Sequence, residues 1–169
     1  MGTIIARAEL PALAEEAARR GERIVFTNGH FDLLHVGHLR YLRAARALGD
    51  LLVVGLNDDD ATRRLKGPRR PIVPQDERAE LLAALVPVDR VVLFGEDTAT
   101  ALIVALRPAI YVKGGDYSVT PGGVGKPLPE AAAVRAYGGE IRVIPLVAGR
   151  STSDTVARVV ARYCPASDD

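Results

Sequence analysis

From Arg23 onward the chain alternates between two hydrophobic periods. The short runs RIVFTN (23–28), LLVVGLN (51–57), RVVLF (90–94), AIYVK (109–113) and EIRVIPL (140–146) are apolar at nearly every position, as parallel strands covered on both faces require. Between them lie VGHLRYLRAARALG, PQDERAELLAALV, DTATALIVALR and PEAAAVRAYGG, and STSDTVARVVARY follows the last run; each carries apolar residues at helical spacing. Five βα units with right-handed crossovers predict a single α/β domain, Rossmann-like and doubly wound, with a five-stranded parallel sheet. The expected division is an N-terminal helix over 1–22 after a floppy start, the sheet-forming domain over 23–163, and a flexible tail over 164–169.

Two stretches interrupt the pattern, and both begin where a strand ends. DDDATRRLKGPRRPIV (58–73) reads as a mobile basic loop, with five basic residues between positions 63 and 70; GGDYSVTPGGVGKPLP (114–129) reads as a Gly/Pro-rich loop. Loops of this length in a compact domain are usually functional or disordered.

Composition narrows the function. A chain of 169 residues, 48% hydrophobic, suits one well-buried core. Its net charge of +1 provides no global field to recruit nucleic acid or an anionic membrane, so any anion site must be local. The basic stretch lacks interleaved aromatics for base stacking, which argues against a nucleic-acid partner. The single cysteine, Cys164, excludes an internal disulfide and a Cys-based zinc site, and it fits a reducing cytoplasm. The N-terminus has no apolar stretch of signal-peptide or membrane-span length, so a cytoplasmic protein with no membrane partner is expected.

The unusual residues gather on one edge of the expected sheet. In open parallel sheets ligands bind outside the carboxyl ends of the strands. There the sequence has TNGHFDLLHVGH, NDDDATRRLKG, KGGDY and AGRSTSD, which hold all three histidines and two of the three lysines, Lys66 and Lys113. Gly29 is expected to turn the chain off the first strand, and Gly37 to let a ligand approach the backbone where a helix begins. His35 and His38, three apart at that helix start, share a face with free amide N–H groups and the positive end of the dipole. This environment favours an anion over a divalent cation, so a zinc site built from these histidines and Asp32 is the minor alternative. His30 gets no role beyond lining the turn. Ser151, with Asp154 three residues on, has a capping-box pattern, and Arg150, Thr152 and Ser153 beside it suggest a second anion cradle. There is no P-loop, dinucleotide fingerprint or nucleophile elbow.

These motifs carry a resemblance. GHFDLLHVGH resembles the His-x-Gly-His signature of the nucleotidylyltransferase superfamily, and RSTSDTVAR resembles its second signature. TNGHFDLLHVGHLRYLRAARALGD, RRLKGPRRPIVP, VDRVVLF and YVKGGDY are similar to the heptose 1-phosphate adenylyltransferase domain of bacterial ADP-heptose biosynthesis, over residues 23–162. The resemblance implies transfer of AMP from ATP to D-glycero-D-manno-heptose 1-phosphate, with His35, His38, Lys66 and Lys113 catalytic. It implies nucleotide contacts from Thr27, Asn28, Gly29, Phe31, Gly37, Asn57, Asp116, Arg150, Ser151, Thr152 and Ser153, and sugar-phosphate contacts from Gly114, Gly115 and Tyr117. Asp32 becomes a candidate to place Mg²⁺, arriving with ATP, or the first histidine; no zinc is expected, and relatives commonly form homodimers. The alternatives are a cytidylyltransferase acting on glycerol 3-phosphate or another polyol or sugar phosphate, a GTP-using heptose 1-phosphate guanylyltransferase, and a silent nucleotide-binding sensor on the same fold. His30 and Ser153 depart from the usual pattern, and the loop around 118–128 is longer than expected.

Overall fold

The computed structural model describes residues 1–115, 117–118, 125–145, 147 and 149–164. In chain order the elements are β1 (Thr3–Ile5), a short 3-10 turn (Arg7–Glu9), α1 (Leu10–Arg20), β2 (Ile24–Gly29), α2 (Val36–Arg46), β3 (Leu51–Asn57), α3 (Asp59–Lys66), α4 (Gln75–Ala84), β4 (Arg90–Phe94), α5 (Thr100–Leu106), β5 (Ile110–Gly114), β6 (Tyr117–Ser118), β7 (Lys126–Pro127), α6 (Ala131–Ala136), β8 (Glu140–Ile144) and α7 (Thr152–Tyr163). The main sheet runs β1-β4-β3-β2-β5-β8 with every pairing parallel, while β6 and β7 form a separate two-stranded pair. No helix among the described residues is long and apolar enough to cross a membrane.

The doubly wound class agrees with expectation, but the strand count is six rather than five. The added strand is β1, within the segment expected to be a floppy start: Thr3, Ile4 and Ile5 pair with Arg90, Val91 and Val92. Three residues at a half-exposed edge leave no periodicity to read. The stretch 58–73 is also not all loop. Its first half is α3, capped by Asp58, whose carboxylate accepts from the Ala61 N–H at 2.7 Å. Only Ala61 and Thr62 of this helix are buried, so its apolar face is too small to show in the sequence.

The continuous apolar runs divide by parity, because successive strand residues point to opposite faces. Phe26, Val53, Val92 and Tyr111 pack with α1, α5 and α6 on one face. Val25, Leu52, Val54, Val91 and Val112 pack with α2 and α4 on the other. Burying both faces demands the near-unbroken hydrophobicity of these strands. Strand order reverses at β2, which has β3 on one side and β5 on the other. The crevice at the carboxyl ends of β2 and β5 is therefore the switch point, where a ligand finds room between diverging connections.

Candidate active site

A cleft of about 660 Å³ opens at this switch point. The segments after β2, β3, β5 and β8 all contribute to its walls. Asn28, Gly29, Phe31, Asn57, Lys66, Lys113, Gly114, Tyr117, Arg150, Ser151, Thr152 and Ser153, expected from sequence, line it together with His35, Gly37 and His38. Lys66 enters from the C-terminal end of α3, not from a mobile loop. Gly115 sits just behind the lining, its N–H bonded to the Ile144 carbonyl at 3.1 Å. Thr27 is fully buried; its hydroxyl bonds Tyr41 Oη at 2.6 Å, so its side chain faces the core rather than a nucleotide. Asp116 lies outside the described residues.

The turn between β2 and α2 is made by Phe31, expected only as a nucleotide contact, and by Leu33, which the sequence did not single out. Phe31 and Leu33 adopt left-handed backbone conformations, with φ of 46° and 51°. For a non-glycine residue such a conformation is uncommon and costs about 1 kcal/mol. Gly29, expected to supply the turn, stays extended within β2; its missing Cβ instead leaves room for the Phe31 ring, which would lie 3.1 Å from it. The turn delivers His35 to the N-cap of α2, where its Nδ1 accepts from the His38 N–H at a long 3.4 Å. With Nδ1 accepting, the proton of the neutral ring rides on Nε2. Gly37 has a reason different from the one expected. A Cβ there would stand 2.9 Å from the His35 ring and 3.2 Å from Arg150 Cβ, so the glycine seats His35 and lets the start of α7 approach.

The two imidazoles stack, with centroids 3.9 Å apart and planes 16° apart. Burial, followed by repulsion from His35, lowers the His38 pKa to about 4, against a small opposing pull from Asp32. Burial and then Arg150 lower that of His35. The pair is thus neutral at physiological pH. A nearby opposite charge would favour the protonated form. Among the described residues, His38 Nδ1 is buried without a hydrogen-bond partner, an exception that in native structures asks for a functional explanation.

Tyr41, one turn along α2 from His38, holds this helix over the switch point: its hydroxyl meets Thr27 on β2 and donates to the Val112 carbonyl on β5 at 3.2 Å. On the opposite wall, Asn28 Oδ1 accepts from Tyr111 Oη at 2.8 Å and from Lys113 Nζ at 2.9 Å. Lys113 also lies over the Tyr117 ring at 5.5 Å. Burial is the main cause that lowers its pKa.

Asp32 does not fit a metal ligand. One carboxylate oxygen accepts from the Val73 N–H at 3.1 Å, the other from Arg70 Nη1 at 2.8 Å, and both lie within reach of the Ile72 N–H. Burial pushes the Asp32 pKa up, but the Arg70 bond and the two amides outweigh it, so the carboxyl sits below its usual range. With its oxygens taken by a guanidinium and two amides, Asp32 anchors the 70–73 segment. Among the described residues no three His, Cys, Asp or Glu side chains converge as a metal site would require. The capping pattern at the last helix is present. Ser151 caps α7, accepting from the Asp154 N–H at 3.0 Å, and Thr152 Oγ1 donates to the Asp32 carbonyl at 2.6 Å.

Arg78 is the residue that sequence reasoning missed most clearly. Its side chain is only 1% exposed, yet it donates to the carbonyls of His30, Asn57 and Val73 and to Asp59 Oδ1. It thereby fixes the ends of β2 and β3 relative to α3. The available signal was a basic residue on the inward face of α4, adjacent to Ala79 and one turn from Leu82. His30, left without a task, lines the cleft and bonds Thr62 Oγ1 through Nδ1 at 3.0 Å.

A parallel sheet with imidazole, ammonium and hydroxyl groups lining the cleft at its switch point fits the nucleotidyltransferase class. The cytidylyltransferase-like family matches residues 26–153, and the chain belongs to that family. It is 55% identical over 152 residues to bifunctional protein HldE of Trichlorobacter lovleyi, covering 89% of this chain and 29% of that one. It is 55% identical over 158 residues to bifunctional protein HldE of Syntrophotalea carbinolica, covering 93% and 31%. The chain thus spans about three-tenths of the length of these curated relatives. Among solved structures, a lipopolysaccharide core biosynthesis protein from Thermoplasma volcanium aligns with a TM-score of 0.59 at 28% identity, over 75% of this chain and 98% of that one.

Proposed function

We propose that the chain is an adenylyltransferase that transfers AMP from ATP to D-glycero-D-manno-heptose 1-phosphate, giving ADP-heptose and pyrophosphate. The observation that carries the reading is the meeting of two helix starts, one bearing His35 and His38 and the other Ser151 and Thr152, in a cleft that Lys66 and Lys113 also enter. Such a set suits a triphosphate, because backbone N–H groups, imidazoles and ammonium groups all stabilise charge spread over phosphoryl oxygens. The identity to the HldE proteins, and the relative described by its role in lipopolysaccharide core biosynthesis, support a sugar phosphate as acceptor.

An oxygen of the heptose phosphate attacks the α-phosphorus of ATP in line. The new P–O bond forms as the bond from the α-phosphorus to the α,β-bridging oxygen breaks, and pyrophosphate leaves with that electron pair. The attacking phosphate is already ionised at neutral pH, so no general base is needed. His35 and His38 donate to the α-phosphoryl and bridging oxygens, where negative charge grows. The start of α7 holds the β- and γ-phosphates, Lys66 reaches the leaving group, and Lys113 steers the acceptor phosphate. A Mg²⁺ ion bound with ATP would supply charge neutralisation to the phosphates, and Asp32, engaged by Arg70 and the 72–73 amides, would not be among its ligands.

The test is pyrophosphate release from ATP, CTP and GTP with heptose 1-phosphate and with glycerol 3-phosphate as acceptors. Release with ATP and the heptose is expected. Release only with CTP would turn the assignment to a cytidylyltransferase, and no release with any pair would sink the enzyme reading.

A further inference from the structure

We propose that His30 is a positioning residue: it braces the turn after β2 against α3 at Thr62, and so holds Lys66 at the cleft. The inference rests on the reading of Lys66 as a phosphate ligand. Three observations carry it. First, His30 Nδ1 lies 3.0 Å from Thr62 Oγ1, a side-chain link from the β2 turn to the middle of α3. Second, Thr62 is 1% exposed and precedes Lys66 by one helical turn, so the two share a face and a shift at one moves the other. Third, the turn at His30 is already pinned through its carbonyl by Arg78, which gives the brace a rigid base.

Other anchors hold the ends of α3. Its first residue is held by Gln75 and Arg78, and Arg64 near its last turn bonds the Gly95 carbonyl and Asp97, itself a cleft residue. The link to His30 adds an inward tie at mid-helix, on the face that carries Lys66. An imidazole suits the task because it reaches Thr62 while remaining uncharged. Burial, then Lys66, Arg78 and Lys113, lower its pKa to about 4 despite a small opposing pull from Asp32, so it adds no positive charge beside the lysines.

The experiment uses the whole chain and reads ATP binding by calorimetry, with no acceptor present. His30→Ala should weaken ATP binding roughly tenfold, the effect of one lost orienting hydrogen bond, with Tm little changed. His30→Asn, whose amide can occupy the Nδ1 position, should restore most of the affinity, whereas His30→Gln, which imitates Nε2, should not. In a double-mutant cycle, His30→Ala should add nothing to Lys66→Ala, because both remove the same contact. An additive cycle, or rescue by Gln instead of Asn, would overturn the proposal, the latter by making His30 a direct ligand contact. Normal ATP binding without heptose transfer would sink the acceptor assignment and leave the His30 result standing.

Discussion

Thr152 Oγ1 donates to the main-chain carbonyl of Asp32 at 2.6 Å, tying the first turn of the last helix to the turn that carries the histidines, 120 residues earlier in the chain. The bond fixes where one helix start stands relative to the other. Under the proposed reading, that spacing is what lets the two starts share one triphosphate. Thr152→Val, close in shape but without the hydroxyl, should raise the KM for ATP about tenfold, as expected for one lost positioning bond. Initial-rate kinetics check this, and an unchanged KM would show that the cradles hold their spacing without the link.

His38 has a buried nitrogen with no partner among the described residues, and its ring stacks on His35. His38→Ala should lower kcat by about 10²- to 10³-fold, the scale of losing one donor to developing charge, while far-UV circular dichroism stays that of the wild type. A rate close to wild type would move the chemistry away from α2.

Acid should destabilise the empty protein through its histidines. His30 and His38 each have a folded pKa of about 4, below the ordinary 6.5, so between those values the unfolded chain binds more protons. Stability is therefore fully present above about pH 6.5 and is lost progressively as pH falls toward about 4. Asp32, with a pKa below 3.8, contributes a further loss only in stronger acid. Thermal unfolding across this window should show Tm falling with pH, with a shallower slope in His38→Gln. An identical slope in the variant would contradict the assignment.

Breaking the Asp32 anchor should affect the fold before it affects metal use. Asp32→Ala leaves Arg70 and the amides of Ile72 and Val73 without their acceptor and should cost about 3 kcal/mol. Urea unfolding measures the loss. The Mg²⁺ concentration for half-maximal rate should stay as in the wild type; a large rise would restore Asp32 as a metal ligand.

Gly37→Ala places a Cβ against the His35 ring, and the flexible side chain yields more readily than the helix. The expected result is a loss of about 10- to 100-fold in kcat with Tm nearly unchanged. An intact rate would mean that His35 need not occupy its present rotamer.

The doubly wound class and the sheet edge where the unusual residues gather were legible in the sequence, because a sheet buried on both faces leaves long apolar runs and polar residues collect at their ends. The Ser151 cap was legible for the same reason that it works: a hydroxyl three residues before an acid is a local device. β1 and α3 escaped detection because each buries two residues or fewer, and periodicity needs more. Gly29, Gly37 and Asp32 were marked correctly as unusual, but their reasons lie in contacts that only the fold reveals: Gly29 makes room for the nearby Phe31 ring, Gly37 for the nearby His35 ring and the distant Arg150, and Asp32 holds the distant 70–73 backbone. Arg78 could not be told from a solvated helix arginine until its four acceptors, drawn from three other segments and the end of its own, came together.

Helix α7 supplies one of the two cradles, yet it has no fully buried residue, and Val159, Val160 and Tyr163 are half exposed or more. Its tertiary hold is concentrated in the first turn, so detaching it leaves both hydrophobic cores whole. Local opening of this helix is therefore far less costly than global unfolding. In the free protein its amides should exchange with solvent orders of magnitude faster than those of β3, and ligand should slow them selectively. Under the proposed reading, nucleotide affinity then contains a conformational component, because binding draws on the ordering of α7.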